Sequence, residues 1–156
     1  MDVISLAAAT TLTEWSERTF WRRFTEGSIE RLIRNGKAVV RFDAIAPHLC
    51  IPLEDQELAL LMQADAGDAA AQTDMALIFL AHKKQKGALA WLNLAVKQQD
   101  ASAMYLLGRL HIDAHGSDRD DNLGMMWLSK AACHGNQFAT VVMESIRCRI
   151  VGTSSV

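Results

Sequence analysis

The chain repeats itself, and that self-similarity restricts its fold more than any other feature. The line Ala64-Asp-Ala-Gly67-Asp-Ala-Ala-Ala71 returns as Val96-Lys-Gln-Gln99-Asp-Ala-Ser-Ala103, and again as Ala132-Cys-His-Gly135-Asn-Gln-Phe-Ala139. The first two copies are 32 residues apart and the next two 36. Trp91-Leu92 with Ala95 recurs in the same register as Trp127-Leu128 with Ala131. The extra residues fall in the polar stretch from His111 to Asn122, where a loop absorbs length at little cost. A period of this size with small residues at fixed points predicts units of two helices that cross closely. Gly67 and Gly135 fit the position after a helix C-terminus, where φ is positive. Gln99 stands in that slot in the middle copy and breaks the pattern. Flanking helices are expected over 54–66 and 137–149.

Composition agrees with a helical chain. Half of the 156 residues are hydrophobic and only two are proline, so a packed core is expected and helix is little interrupted. The formal net charge of −2 offers no general attraction to nucleic acid or an anionic membrane. Residues 1–52 hold seven Lys/Arg against six Asp/Glu, and the remainder nine against twelve. Cys50, Cys133 and Cys148 are far apart and odd in number, which argues for thiols in a reducing compartment. No basic leader with an apolar run opens the chain, and the longest apolar run, Met75 to Ala81, is far too short for a bilayer. A cytoplasmic protein without membrane partners is expected.

The pattern resembles the Sel-one-like repeat, an alanine- and glycine-marked relative of the tetratricopeptide repeat, over about residues 59–142. The resemblance implies an adaptor that holds a protein or peptide partner in a concave groove. About two hairpins lie near the lower limit for independent stability, so packing against the N-terminal module or a second copy is expected.

Residues 1–52 follow another logic. Ser5 is a plausible cap for a short helix carrying Leu6, Ala9 and Leu12. Ser16 then caps a second helix whose Phe20 and Phe24 point inward with Trp21 nearby, leaving Arg18, Arg22 and Arg23 outward. Gly27 can end it. Beyond, the apolar stretches 29–33 and 38–42 flank Asn35-Gly36, a hairpin signal of type I′. Helix, turn, helix and a two-stranded wing is a DNA-binding layout. The segment resembles the winged helix-turn-helix of the MerR and phage-excisionase group through Ser16-Glu17-Arg18-Thr19-Phe20-Trp21-Arg22-Arg23. Glu14 departs from the glycine usual in that turn, which predicts a remodelled turn. The resemblance implies that Arg18, Thr19, Arg22 and Arg23 face the major groove while Arg34, Lys37 and Arg41 hold phosphates. Glu30 and Asp43 dilute the field. A solvated face, or a degenerate module that binds protein or pairs two copies, is the competing reading.

The sequence holds little that would do chemistry. His111 and His115 are spaced four apart, with Asp113, Asp118, Asp120 and Asp121 following. They fall in a variable loop without the order of a metal or calcium site, so a solvated loop is expected and no metal. Cys133-His134 sits at a helix end, and Cys50 near His48 in a linker between two prolines. No phosphate loop, nucleophile elbow or zinc-protease motif occurs, so no enzyme and no cofactor is expected. Met62, Met75, Met104, Met125, Met126 and Met143 read mostly as core.

The expected whole is a mainly α chain: a winged helix-turn-helix module with a small β-hairpin (1–52), an α/α helical-hairpin repeat array (53–150) and a tail (151–156). Its expected role is a small DNA-binding transcriptional regulator or regulatory adaptor. Its repeats would bind a protein partner, with double-stranded DNA at the other end and possible homodimerisation through Trp15, Trp21 or the C-terminal helix. The alternative is a scaffold that does not bind DNA.

Overall fold

The computed structural model describes residues 2–114 and 119–153. It is mainly helical, about 70% helix, with one small antiparallel sheet of three strands. In order the elements are β1 (Val3–Ser5), α1 (Leu6–Thr13), α2 (Glu17–Thr25), β2 (Leu32–Arg34), β3 (Lys37–Arg41) and α3 (Phe42–Ile45). A 3-10 turn (Ala46–His48) leads on to α4 (Asp55–Asp65), α5 (Ala69–Ala81), α6 (Gln85–Lys97), α7 (Ala101–Asp113), α8 (Asp121–Cys133) and α9 (Gln137–Thr153). The chain forms two compact units, Met1–Trp91 and Leu92–Val156. None of the described helices is long and apolar enough to cross a membrane.

In the first unit the local signals set the helix starts. Ser5 Oγ accepts from the Ala8 amide and Ser16 Oγ from the Thr19 amide, each removing an orphan donor from a first turn. Asn35 and Gly36 both have positive φ, 53° and 75°, and Arg34 pairs with Lys37, so β2 and β3 join through the two-residue turn read from the sequence. The sheet has one strand more than the expected two-stranded wing. β1 pairs antiparallel with β3, Ile4 opposite Val40, in the order β1-β3-β2. Three residues are too few to show an alternation, and β1 exists because β3 supplies a partner edge.

The stretch expected as a linker is packed. Ile45 and Ile51 are buried, the Cys50 amide donates to Leu12 O, and the His48 ring lies tilted against Trp15 at 4.8 Å between ring centroids. Residues on either side of the 52/53 junction are bonded as well. Both the amide and the hydroxyl of Ser5 donate to the Asp65 carboxylate at the end of α4. α4 is started by a reciprocal capping box between Glu54 and Glu57 and packs against α5.

Three helix starts are built alike. Asp68, Asp100 and Asn136 accept from the amides of Ala71, Ala103 and Ala139 at 2.7, 2.7 and 2.9 Å. The residues just before these caps, Gly67, Gln99 and Gly135, all have positive φ (107°, 62° and 87°). Gln99 therefore takes the conformation that glycine takes in the other two places.

In the second unit α8 packs against both α7 and α9. Its core gathers Met104, Leu128, Ala131 and Ala139, with Tyr105, Trp127, Val142 and Met143 packed around them. α7 and α8 cross where both lack a side chain: a Cβ on Gly108 would lie 2.9 Å from the Gly124 carbonyl oxygen. Met75 and Met104 are buried, as a core reading requires, whereas Met126 is exposed. The first three residues of the expected tail, 151–153, continue α9.

Candidate nucleic-acid interface

The turn between α1 and α2 aims α2. Glu14 has φ 58°, so the glutamate itself holds the left-handed conformation expected of glycine at this point. Thr13 Oγ1 accepts from the Trp15 amide across the turn, and the Glu14 carboxylate meets Lys84 Nζ at 3.2 Å. Phe20, fully buried, anchors α2. Trp15 packs on Phe20 at 5.4 Å, and Phe20 lies 6.2 Å from Phe24.

A single position separates the fates of the arginines on α2. Arg18 and Arg22 are exposed, and Arg18 has no hydrogen bond or ion pair to a described residue. Arg22 reaches Glu26 at 3.7 Å, a loose i,i+4 pair in solvent worth little. Thr19 is half-buried, its hydroxyl 3.0 Å from that of Ser16. Arg23 turns inward. Its guanidinium carbon lies 4.0 Å from the centroid of the Trp15 ring, and its Nε is buried without an acceptor among the described residues. The aromatic face takes up this cation, so Arg23 does not stand with Arg18 and Arg22 on the outer face.

The hairpin cations are divided too. Arg41 binds Asp43 through two nitrogens, which holds the Asp43 carboxyl below its usual range and raises the Arg41 guanidinium above its own. Arg34 donates to Val3 O at 3.5 Å and lies 3.9 Å from Asp65. Lys37 is exposed at the turn and has no partner among the described residues. Arg18, Arg22 and Lys37 are thus the candidates open to a polyanion, while Arg23, Arg34 and Arg41 are engaged within the fold.

Two residues outside the sequence-derived set belong to the same surface. Trp21 is 42% exposed, not turned inward, and Arg31 lies over its ring at 4.8 Å. An aromatic plane beside a guanidinium suits stacking as well as phosphate contact. Arg31 carried no signal, because it reaches Trp21 from a loop ten residues away.

A cleft of about 350 Å³ opens beside the N-terminus of α2, with Glu14, Ser16, Glu17 and Lys86 in its wall. Its two carboxylates repel phosphate, so a polyanion is favoured on the Arg18 and Arg22 side of α2. Among the described residues no three His, Cys, Asp or Glu side chains gather as a metal ion requires. His111 ends up in the last turn of α7, while His115 and Asp118 of the proposed histidine pair and acidic run lie outside the described residues. Comparison of the chain with protein-family models, with curated proteins and with solved structures returned no match.

Proposed function

We propose that this chain is a small DNA-binding regulator: a winged helix-turn-helix at the N-terminus and a short Sel-one-like helical array that takes up a protein or peptide partner. The observation that carries the first half is the outward pair Arg18 and Arg22 on α2, set by a left-handed turn after α1. A hairpin with exposed Lys37 at its tip follows in the same unit. Support for the second half is the threefold recurrence of one junction, Asp68, Asp100 and Asn136 each capping a helix after a residue of positive φ. With few open cations, the affinity is modest and its fall with salt is shallow, because the salt dependence grows with the number of phosphates neutralised.

A second reading has its own observation. Four of the six candidate cations, Arg22, Arg23, Arg34 and Arg41, have intramolecular partners, which fits a protein-binding module that has no use for DNA. Retention of the full chain on double-stranded DNA at low salt separates the two. Arg18→Ala with Arg22→Ala lowers retention if the first reading holds. Retention unchanged by that pair, or absent in the parent chain, leaves the adaptor reading in its place.

A further inference from the structure

The outer side of α2 carries more than its two open arginines. Arg18, Trp21, Arg22 and Thr25 follow intervals of three, one and three residues. That spacing sets them on one stripe of a helix, and all four are exposed. A tryptophan on such a stripe leaves in water an apolar surface that burial would stabilise. Its ring is nevertheless held. Phe24 meets it at 5.5 Å and 86°, an edge-to-face contact. Arg31 lies over it, the guanidinium carbon 4.8 Å from the centroid.

The same unit holds a second pair of this kind with the opposite fate. Arg23 lies over Trp15, and its Nε is buried, so that cation is engaged inside the fold. Arg31 is exposed and has no hydrogen bond or ion pair to a described residue. The carboxylates near it are directed elsewhere: Glu26 reaches Arg22 at 3.7 Å, and Glu30 lends its field to Arg41. A ring face attracts a cation but supplies no oxygen acceptor, so the N–H groups of Arg31 stay open to one. The backbone that carries Arg31 is tied on both sides. The amides of Ser28 and Ile29 donate to Arg23 O, Ile29 is buried, and Leu32 opens β2. Loop and ring together therefore place a third cation at the stripe of Arg18 and Arg22.

We propose that Arg18, Arg22 and Arg31 form one phosphodiester-binding site on duplex DNA, and that Trp21 is the positioning residue that holds Arg31 in it. The inference rests on the DNA-binding reading and deepens it, since Arg31 comes from outside α2 and Trp21 bears no charge. A guanidinium suits the task because its forked donors match two oxygens of a phosphate. A free arginine side chain loses rotamer freedom when it binds, and one already held on a ring loses less. Several cations on one stripe match the successive charges of a nucleic-acid strand better than an isolated anion.

The test is fluorescence anisotropy of a labelled duplex of about 20 base pairs titrated with the full chain, at salt concentrations from about 50 to 200 mM. Arg31→Ala should weaken binding about three- to tenfold at low salt and reduce the slope of log affinity against log salt by about one. Trp21→Ala removes no charge, yet it should lower that slope in the same direction. Trp21→Phe keeps a ring under the guanidinium and should restore most of it. Adding Trp21→Ala to Arg31→Ala should change the slope no further. Arg31→Ala removes only an exposed side chain, so the site is tested even where Trp21→Ala fails to fold. A slope unchanged by Arg31→Ala, in a parent chain that binds the duplex through Arg18 and Arg22, overturns this proposal and leaves the DNA-binding reading standing. A slope lowered by Arg31→Ala but not by a folded Trp21→Ala variant overturns the positioning role. A parent chain that binds no duplex overturns both readings.

Discussion

Asp65, at the C-terminal end of α4, accepts from both the backbone amide and the hydroxyl of Ser5, sixty residues earlier in the chain. The Ser5 hydroxyl in turn accepts from the Ala8 amide and starts α1. One carboxylate therefore fixes the last residue of β1 and the cap of α1. Its side chain is 6% exposed, and Arg34 lies 3.9 Å away.

Removing either partner is costly. Asp65→Ala leaves a half-buried amide and hydroxyl without their acceptor and should destabilise the chain by about 1–3 kcal/mol. Ser5→Ala also loses the helix cap and costs about 1–2 kcal/mol. In urea titrations of the two single variants and the double variant, the coupling amounts to about 1 kcal/mol or more. Simple additivity would show that the pair is not holding the structure together.

At Gln99 the chain stores strain that two of its own junctions avoid. A non-glycine residue at φ 62° costs about 1 kcal/mol or more, and glycine's added freedom in the unfolded chain returns part of that. Gln99→Gly should raise stability by about 0.5–1 kcal/mol. Gly135→Ala, the reverse change at the equivalent place, should lower it by about 1 kcal/mol. Thermal melts of both variants check the pair, and the same sign in both would refute the argument.

Gly108→Ala separates helix propensity from packing. Propensity alone predicts a gain of about 1 kcal/mol in a helix interior. The new methyl would sit 2.8 Å from Leu128 Cγ and 2.9 Å from the backbone oxygen of Gly124, and a carbonyl inside a helix cannot swing aside. Overpacking of this kind costs about 1–3 kcal/mol, so the urea midpoint should fall. A rise would show that α7 and α8 part easily.

Cys50 should resist alkylation. Burial pushes its thiol above the ordinary cysteine range, and its Sγ faces the Thr11 carbonyl at 3.6 Å. At mildly alkaline pH, iodoacetamide should modify exposed Cys133 well before Cys50. The linkage has a definite sign. A raised pKa favours the folded state below the unfolded thiol's pKa, and that contribution is lost as pH rises through the folded value. Peptide mapping after timed alkylation reads the order, and equal rates would contradict the burial.

The positions of caps and tight turns were legible because each depends on a few neighbouring residues. Ser5 and Ser16 each satisfy an amide three residues on, and Asn35-Gly36 closes a hairpin through its own φ preferences; the caps Asp68, Asp100 and Asn136 came to light only in the structure. The candidate surface was legible only in part. Helical periodicity put Arg18 and Arg22 outside, but it also put Arg23 there, and it placed Trp21 only as a neighbour of the inward Phe20 and Phe24. The actual arrangement depends on Trp15, which offers Arg23 a ring from outside α2, and on Arg31, which reaches Trp21 from a loop.

By itself, then, the sequence determined where helices begin, which turns need positive φ and which three junctions are alike, since those are short-range matters of backbone geometry and hydrogen bonding. Only the tertiary structure decided that β1 would be a strand, that Asp65 would hold Ser5, and which arginines would be taken up inside the fold. Those outcomes depend on the partner that folding brings alongside, and a partner sixty residues away leaves no trace in local spacing.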